Sequence, residues 1–202
     1  MNKDGTSATD STIYNPAMQA DWNSGANALV VIADLLGNGI TVSGANAAPV
    51  ATTSGGSTAF VEGANVVSTP VAVDSGITLS DADNTTLASA TVAITGNFQS
   101  GQDVLALTPD PATMGNIAAS YNSGTGVLTL ASAGATATLA QWQAALQSIT
   151  YTNSSETPDT SARTISFVVN DGTDSSSPGT RTVTVAPVND APVNTVPGAQ
   201  MT

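Results

Sequence analysis

From about residue 89 onward the chain alternates apolar and polar positions in short runs, the period of a strand with one face on a core and the other in water. The clearest run is Thr164-Ile165-Ser166-Phe167-Val168-Val169, which points Ile165, Phe167 and Val169 inward and sets Thr164, Ser166 and Val168 on the other face. Val183 and Val185 alternate in the same way with Thr182 and Thr184. So do Ala90, Val92 and Ile94 with Ser89, Thr91 and Ala93, and Ile149 and Tyr151 with Ser148, Thr150 and Thr152. Between the runs 118–120 and 127–130, Asn122-Ser123-Gly124-Thr125-Gly126 supplies the glycines of a hairpin with more than two loop residues. The pattern predicts an all-β protein, an antiparallel β-sandwich.

One segment leaves period two. Leu139, Trp142 and Leu146 fall at i, i+3 and i+7, which predicts a short helix that Thr138 can cap. Its apolar stripe, Trp142 included, is expected to pack on the core across an edge or end of the sandwich, covering backbone groups otherwise open to another strand. The leading part of the chain is read as a smaller segment containing a second helix over 26–36, stopped by Gly37-Asn38-Gly39 and followed by a strand at Ile40-Thr41-Val42. Tyr14 and Trp22 precede it in a polar stretch.

A repeated boundary defines the unit. Ala45-Asn46-Ala47-Ala48-Pro49-Val50 is echoed by Val188-Asn189-Asp190-Ala191-Pro192-Val193, each followed by a polar stretch with Thr and Gly. The expected organisation is a leading segment over 1–46, one sandwich repeat over 47–190, and a linker over 191–202 that opens the next copy. The leading segment is open to three readings: a cap on the repeat, the end of a preceding domain, or an assembly arm.

Composition narrows the chemistry. The chain carries 3 Lys+Arg against 15 Asp+Glu, with no His and no Cys, for a formal net charge of −12. Ser/His/Asp and Cys/His nucleophiles, zinc fingers and disulfides are thereby excluded. Three cations are too few to neutralise a phosphate backbone, so nucleic acid is not an expected partner. No apolar run reaches the roughly 18 residues of a membrane span. Met1-Asn2-Lys3-Asp4-Gly5 lacks the apolar core of a secretion signal, so an exported protein would carry its signal elsewhere or have lost it. With aromatic residues at 4%, and Glu62 and Glu156 in unrelated segments, a sugar-binding or hydrolytic module is poorly supported.

The acids concentrate in turns: Asp81-Ala82-Asp83-Asn84, Asn170-Asp171-Gly172-Thr173-Asp174, Asn189-Asp190 and Glu62-Gly63. Asp and Asn are ordinary β-turn residues that bond their own backbone, and one such turn needs no other account. Several of them in a chain with almost no cations, where carboxylates repel, point instead to a hard cation with six to eight oxygen ligands, calcium before magnesium. In a sandwich the turn after the second strand, the turn before the last strand and the incoming linker converge at one end.

Phe167-Val168-Val169-Asn170-Asp171-Gly172-Thr173, the hydroxyl-rich final strand 181–185, Val188-Asn189-Asp190-Ala191-Pro192-Val193 and the turn Leu79-Ser80-Asp81-Ala82-Asp83 together resemble the cadherin-like, immunoglobulin-like tandem repeats of very large bacterial surface adhesins, over about residues 47–202. The resemblance implies an immunoglobulin/cadherin-like antiparallel β-sandwich whose junctions hold Ca2+ and make the array rod-like. It implies Asp81, Asp83 and Asp171, with Glu62 as a weaker member, as ligands facing the previous repeat, and Asn189 and Asp190 as ligands for the next. The sequence departs from the pattern at Ala47, where the later copy has Asp190. The expected function is a non-catalytic, calcium-stiffened extracellular or cell-surface repeat whose partners are neighbouring repeats. The alternative is a self-associating filament subunit in which an exposed strand from 1–44 or the tail 194–202 completes a neighbour's sheet.

Overall fold

The structure, a computed structural model, describes residues 30–33, 40–43 and 45–192. The chain divides into two units, Met1–Asn46 and Ala47–Thr202. In the first, β1 (Val30–Ala33) pairs antiparallel with β2 (Ile40–Ser43), Val31 opposite Val42. The strand expected at 40–42 is therefore present, while the helix expected over 26–36 is overturned at residues 30–33. Val30, Val31 and Ile32 are β-branched, stiff at χ1 and suited to a pleated ribbon rather than a helix. The rest of that stretch, with Tyr14 and Trp22, lies outside the described residues.

The second unit is all-β, with eleven strands in three open sheets. Its strands are β3 (Val50–Thr52), β4 (Ser57–Val61), β5 (Val71–Ala72), β6 (Thr78–Ser80), β7 (Ser89–Gly96), β8 (Asp103–Ala106), β9 (Ile117–Asn122), β10 (Val127–Ser132), β11 (Thr150–Asn153), β12 (Arg163–Asn170) and β13 (Gly179–Ala186). A six-stranded sheet runs β4-β13-β12-β7-β10-β9, a three-stranded sheet β5-β11-β8, and β3 pairs with β6. Neighbours are antiparallel except β4 and β13, which run parallel with Phe60 beside Val185.

The predicted alternation holds. Ile165, Phe167, Val169, Val183, Ala90, Val92, Ile94, Ile149 and Tyr151 are all buried. Phe60 of the large sheet meets Tyr151 of the three-stranded sheet edge to face, centroids 5.3 Å apart at 89°, an aromatic contact worth roughly 0.5–1.5 kcal/mol beyond its area. The hairpin β9–β10 closes at Gly126, whose φ of 70° suits glycine and whose bare Cα lies under the Phe98 ring.

Two α-helices accompany these strands among the described residues. A single turn, α1 (Pro111–Met114), is capped by Asp110. The predicted helix is α2 (Leu139–Gln147), with Thr138 and Gln141 forming a capping box that joins side chain to backbone in both directions. Trp142 and Leu146 are fully buried, and the Trp142 Nε1 donates to the Leu87 carbonyl at 2.9 Å. Gln143 accepts from the Leu79 amide and Gln147 donates to the Ile77 carbonyl, so the helix covers backbone around β6 with amide side chains as well as with its stripe.

The direction of β13 defines two ends. At Gly179 the strand passes so close to β3 that an added Cβ would stand 2.9 Å from the Ala51 carbonyl oxygen. At Ala186 its carbonyl accepts from the Glu62 amide, 3.0 Å away. Eight residues at roughly 3.3 Å each separate the two ends by about 23 Å. The chain enters this unit at the first, proximal end and leaves it at the second, distal end.

Candidate metal centre

At the proximal end each acidic turn first serves its own backbone. Asp81 Oδ1 accepts from the amides of Asp83 (3.1 Å) and Asn84 (3.0 Å), and its Oδ2 is buried without a hydrogen bond. Asp83 accepts the Ala47 amide on both oxygens, at 3.3 and 3.1 Å, so the incoming linker is pegged to this turn by its backbone where the sequence lacks an acid. Asp171 Oδ1 accepts from Thr173 (2.7 Å) and Asp174 (2.8 Å), and Asn170, the last residue of β12 just before it, accepts the amide of Ala88, the residue before β7, on its carbonyl. Among the described residues Asp81, Asp83 and Asp171 do not join a group of three or more metal-ligating carboxylates.

The distal end does hold such a group. Glu62, Glu156 and Asp190 bring carboxylate oxygens within 4.8 Å of one another. Glu62 was expected with Asp81 and Asp83, and the structure places it elsewhere: it follows β4, whose parallel pairing with β13 carries it to the outgoing linker instead. Its Oε2 accepts the Val188 amide at 2.7 Å, while Oε1 is buried with no partner, and the residue is 3% exposed. Asp190 Oδ1 accepts from the Asn65 amide at 2.9 Å, and Asn65 Nδ2 donates to the Ala191 carbonyl at 3.3 Å. Asn65 adopts a φ of 52°, a left-handed turn residue that aims its amide at the linker. Asn189, also expected at this end, is exposed, and its amide donates to the Asp190 carbonyl at 3.4 Å.

Glu156, exposed in the connection between β11 and β12, is not among the ligands expected from the sequence, where it and Glu62 fall in unrelated segments. Only the fold carries that connection to Glu62.

A second polar cluster, also missed, lies inside the sandwich. Asp103, fully buried, accepts from Arg163 Nε (3.0 Å) and Nη2 (3.3 Å), Tyr151 Oη (2.5 Å), Asn153 Nδ2 (2.6 Å) and the Gln99 amide (2.8 Å). Burial, then the hydrogen bond to the Asp103 carboxylate, raises the Tyr151 phenol well above its ordinary value, and burial and the same charge raise Tyr121. Arg163 also donates to the carbonyls of Asp159 and Ser161. A signal was present: Arg163 has the same strand parity as Ile165, Phe167 and Val169, so it must point inward and needs a buried anion.

Arg181 is likewise engaged, donating to the carbonyls of Ser54 and Gly55. Both arginines therefore serve the fold, and neither neutralises the distal carboxylates.

No family model and no solved structure matches the chain. It is 40% identical over 85 residues to halomucin of Haloquadratum walsbyi, a match covering 42% of this chain and about 1% of that protein's length.

Proposed function

We propose that this chain is a structural piece of an extracellular or cell-surface protein: a non-catalytic spacer repeat of the cadherin-like kind, joined to neighbouring repeats and stiffened by calcium at its linkers. The observation that carries this reading is the separation of the linkers. The chain enters beside Asp83 and Gly179 and leaves beside Glu62, at opposite ends of β13. A unit threaded end to end in this way extends an array by its own length with each copy, and the echo of 45–50 in 188–193 supplies the junction. The partial likeness to halomucin, a halophile surface protein, supports the location. Strand donation by the leading segment is less favoured, because β1 and β2 already pair with each other.

Small-angle scattering on the full chain extended by a second copy of residues 47–190 tests the reading. In calcium the maximum dimension should grow by about the length of one sandwich over that of the single chain. A pair that folds side by side, with little increase in length, overturns it.

A further inference from the structure

We propose that the outer face of the six-stranded sheet is a self-association surface, on which a second copy of this unit packs face to face. Such pairing sets copies side by side rather than end to end, and it needs no bound ion.

Alternation defines the face. Every second residue of β7, β10 and β12 is buried toward the core, and the residues between them point the other way. The register lines these outward residues up in rows: Ser120 of β9, Thr129 of β10, Thr91 of β7 and Val168 of β12 stand side by side. All other outward positions of the six strands are Ser, Thr, Ala, Asn or Val, with Val61 54% exposed at the end of β4.

No charge lies on this face. The six strands carry two charged residues, Arg163 and Arg181, and both have the inward parity, Arg163 with Ile165 and Arg181 with Val183. In a chain of formal net charge −12, two copies repel wherever their acids meet. The acidic turns and the carboxylates Glu62, Glu156 and Asp190 belong to connections and linkers, not to the strands of the large sheet. Contact through the sheet face therefore buries no like charges against each other.

The side chains suit a copy of themselves. Hydroxyls both donate and accept, so a Ser/Thr surface is complementary to its own image under a two-fold axis. Thr and Val are stiff at χ1, and Ala has no rotamers, so ordering them costs little of the entropy that long side chains forfeit. An uncharged polysaccharide is less well served, because no aromatic ring points outward for a sugar to stack on.

The area is adequate for a weak dimer. Six strands spaced by about 4.8 Å, the longest of eight residues at about 3.3 Å each, span a face of about 600 Å². Two such faces make about 1,200 Å², the lower bound of specific interfaces. The three-stranded sheet, with two to four residues in each strand, offers far less. Two sheets stacked in this way lie about 10 Å apart with their strands within about 30° of each other.

Sedimentation equilibrium of the full chain in chelator tests this. The chain should form reversible dimers that tighten as sodium chloride is raised from about 0.1 to about 1 M, because screening weakens the repulsion between the acidic ends. Thr91 is exposed at the middle of the face, and Thr91→Asp and Thr91→Lys should each weaken the dimer by at least about tenfold, since either sign leaves a charge buried without a partner. Ala140→Asp, exposed on α2, which packs on β6 rather than on this face, should have little effect. Circular dichroism checks that each variant is folded, and Ser120→Lys, exposed on the same row, replaces a Thr91 variant that is not. A chain that stays monomeric at about 1 mM, where even weak contacts register, would overturn the pairing. A dimer that survives the charged substitutions at Thr91 or Ser120 would overturn it as well, by placing self-association on another surface. Opposite effects of Asp and Lys would show that net charge governs association rather than this face.

Discussion

Arg163 and Asp103, each the first residue of its strand, form an ion pair between the two facing sheets with neither side chain exposed, Nε to Oδ2 3.0 Å. Three further donors, from Tyr151, Asn153 and Gln99, complete the carboxylate. Breaking such a pair by removing one partner typically costs about 3 to 5 kcal/mol, because a charge is left buried and alone. Arg163→Met should lower the urea-unfolding free energy by that amount. Asp103→Asn combined with Arg163→Met should cost less than the sum of the two single changes, since no charge remains to be stranded. Strict additivity would show that the pair is not coupled.

The raised Tyr151 phenol links the same cluster to pH. In the unfolded chain this group ionises near its ordinary value of 10.0, while in the folded protein it keeps its proton to higher pH. The stability it contributes is fully present below about pH 10 and is lost as pH rises toward the folded value. Denaturant melts should therefore weaken above pH 10. In Tyr151→Phe this alkaline slope should shrink, and at neutral pH the variant should already be less stable by about 1 to 3 kcal/mol, because Asp103 loses a donor. Tyrosinate absorbance at high pH checks the assignment, since Tyr151 and Tyr121 should ionise only near unfolding.

The strand register has its own test. Phe167 is fully buried between Ile165 and Val169 on the inward face of β12, whereas Ser166 lies half-buried on the other face. Phe167→Ala should cost about 3 to 5 kcal/mol, and Ser166→Ala no more than about 0.5 kcal/mol. Equal losses in thermal or chemical melts would mean that the strand is turned over.

Strands β7, β11, β12 and β13 and helix α2 were legible in the sequence because one face of each is buried, and burial imposes the period that the residues display. The leading helix was misread because 26–36 is apolar with no clean period, and there the β-branched Val30-Val31-Ile32 decides for strand. The acidic turns were legible as turns, but which carboxylates gather was not. Glu62 lies near the start of the unit in sequence yet joins Asp190 near its end, because β4 pairs in parallel with β13. That choice of neighbour is a long-range property that no local spacing encodes, and so is the approach of Glu156 from the β11–β12 connection.

Charge balance leads to a last prediction, separate from any bound ion. The chain has a formal net charge of −12, and among the described residues its two arginines are taken up by Asp103, Asp159 and backbone carbonyls. The remaining acids thus have little cationic compensation, and a net charge so far from zero is a self-repulsion that weakens the compact state. Monovalent salt shortens the screening length from about 10 Å at 0.1 M to roughly 3 Å at 1 M, which relieves repulsion between exposed carboxylates and leaves the Asp103–Arg163 pair nearly untouched. The melting temperature in chelator should therefore rise with sodium chloride over this range. Glu156→Gln, which removes one exposed charge beside Glu62 and Asp190, should melt higher than the unaltered chain at low salt and gain less from added salt. A melting temperature that falls as salt is added would show that attraction, rather than repulsion, governs the surface.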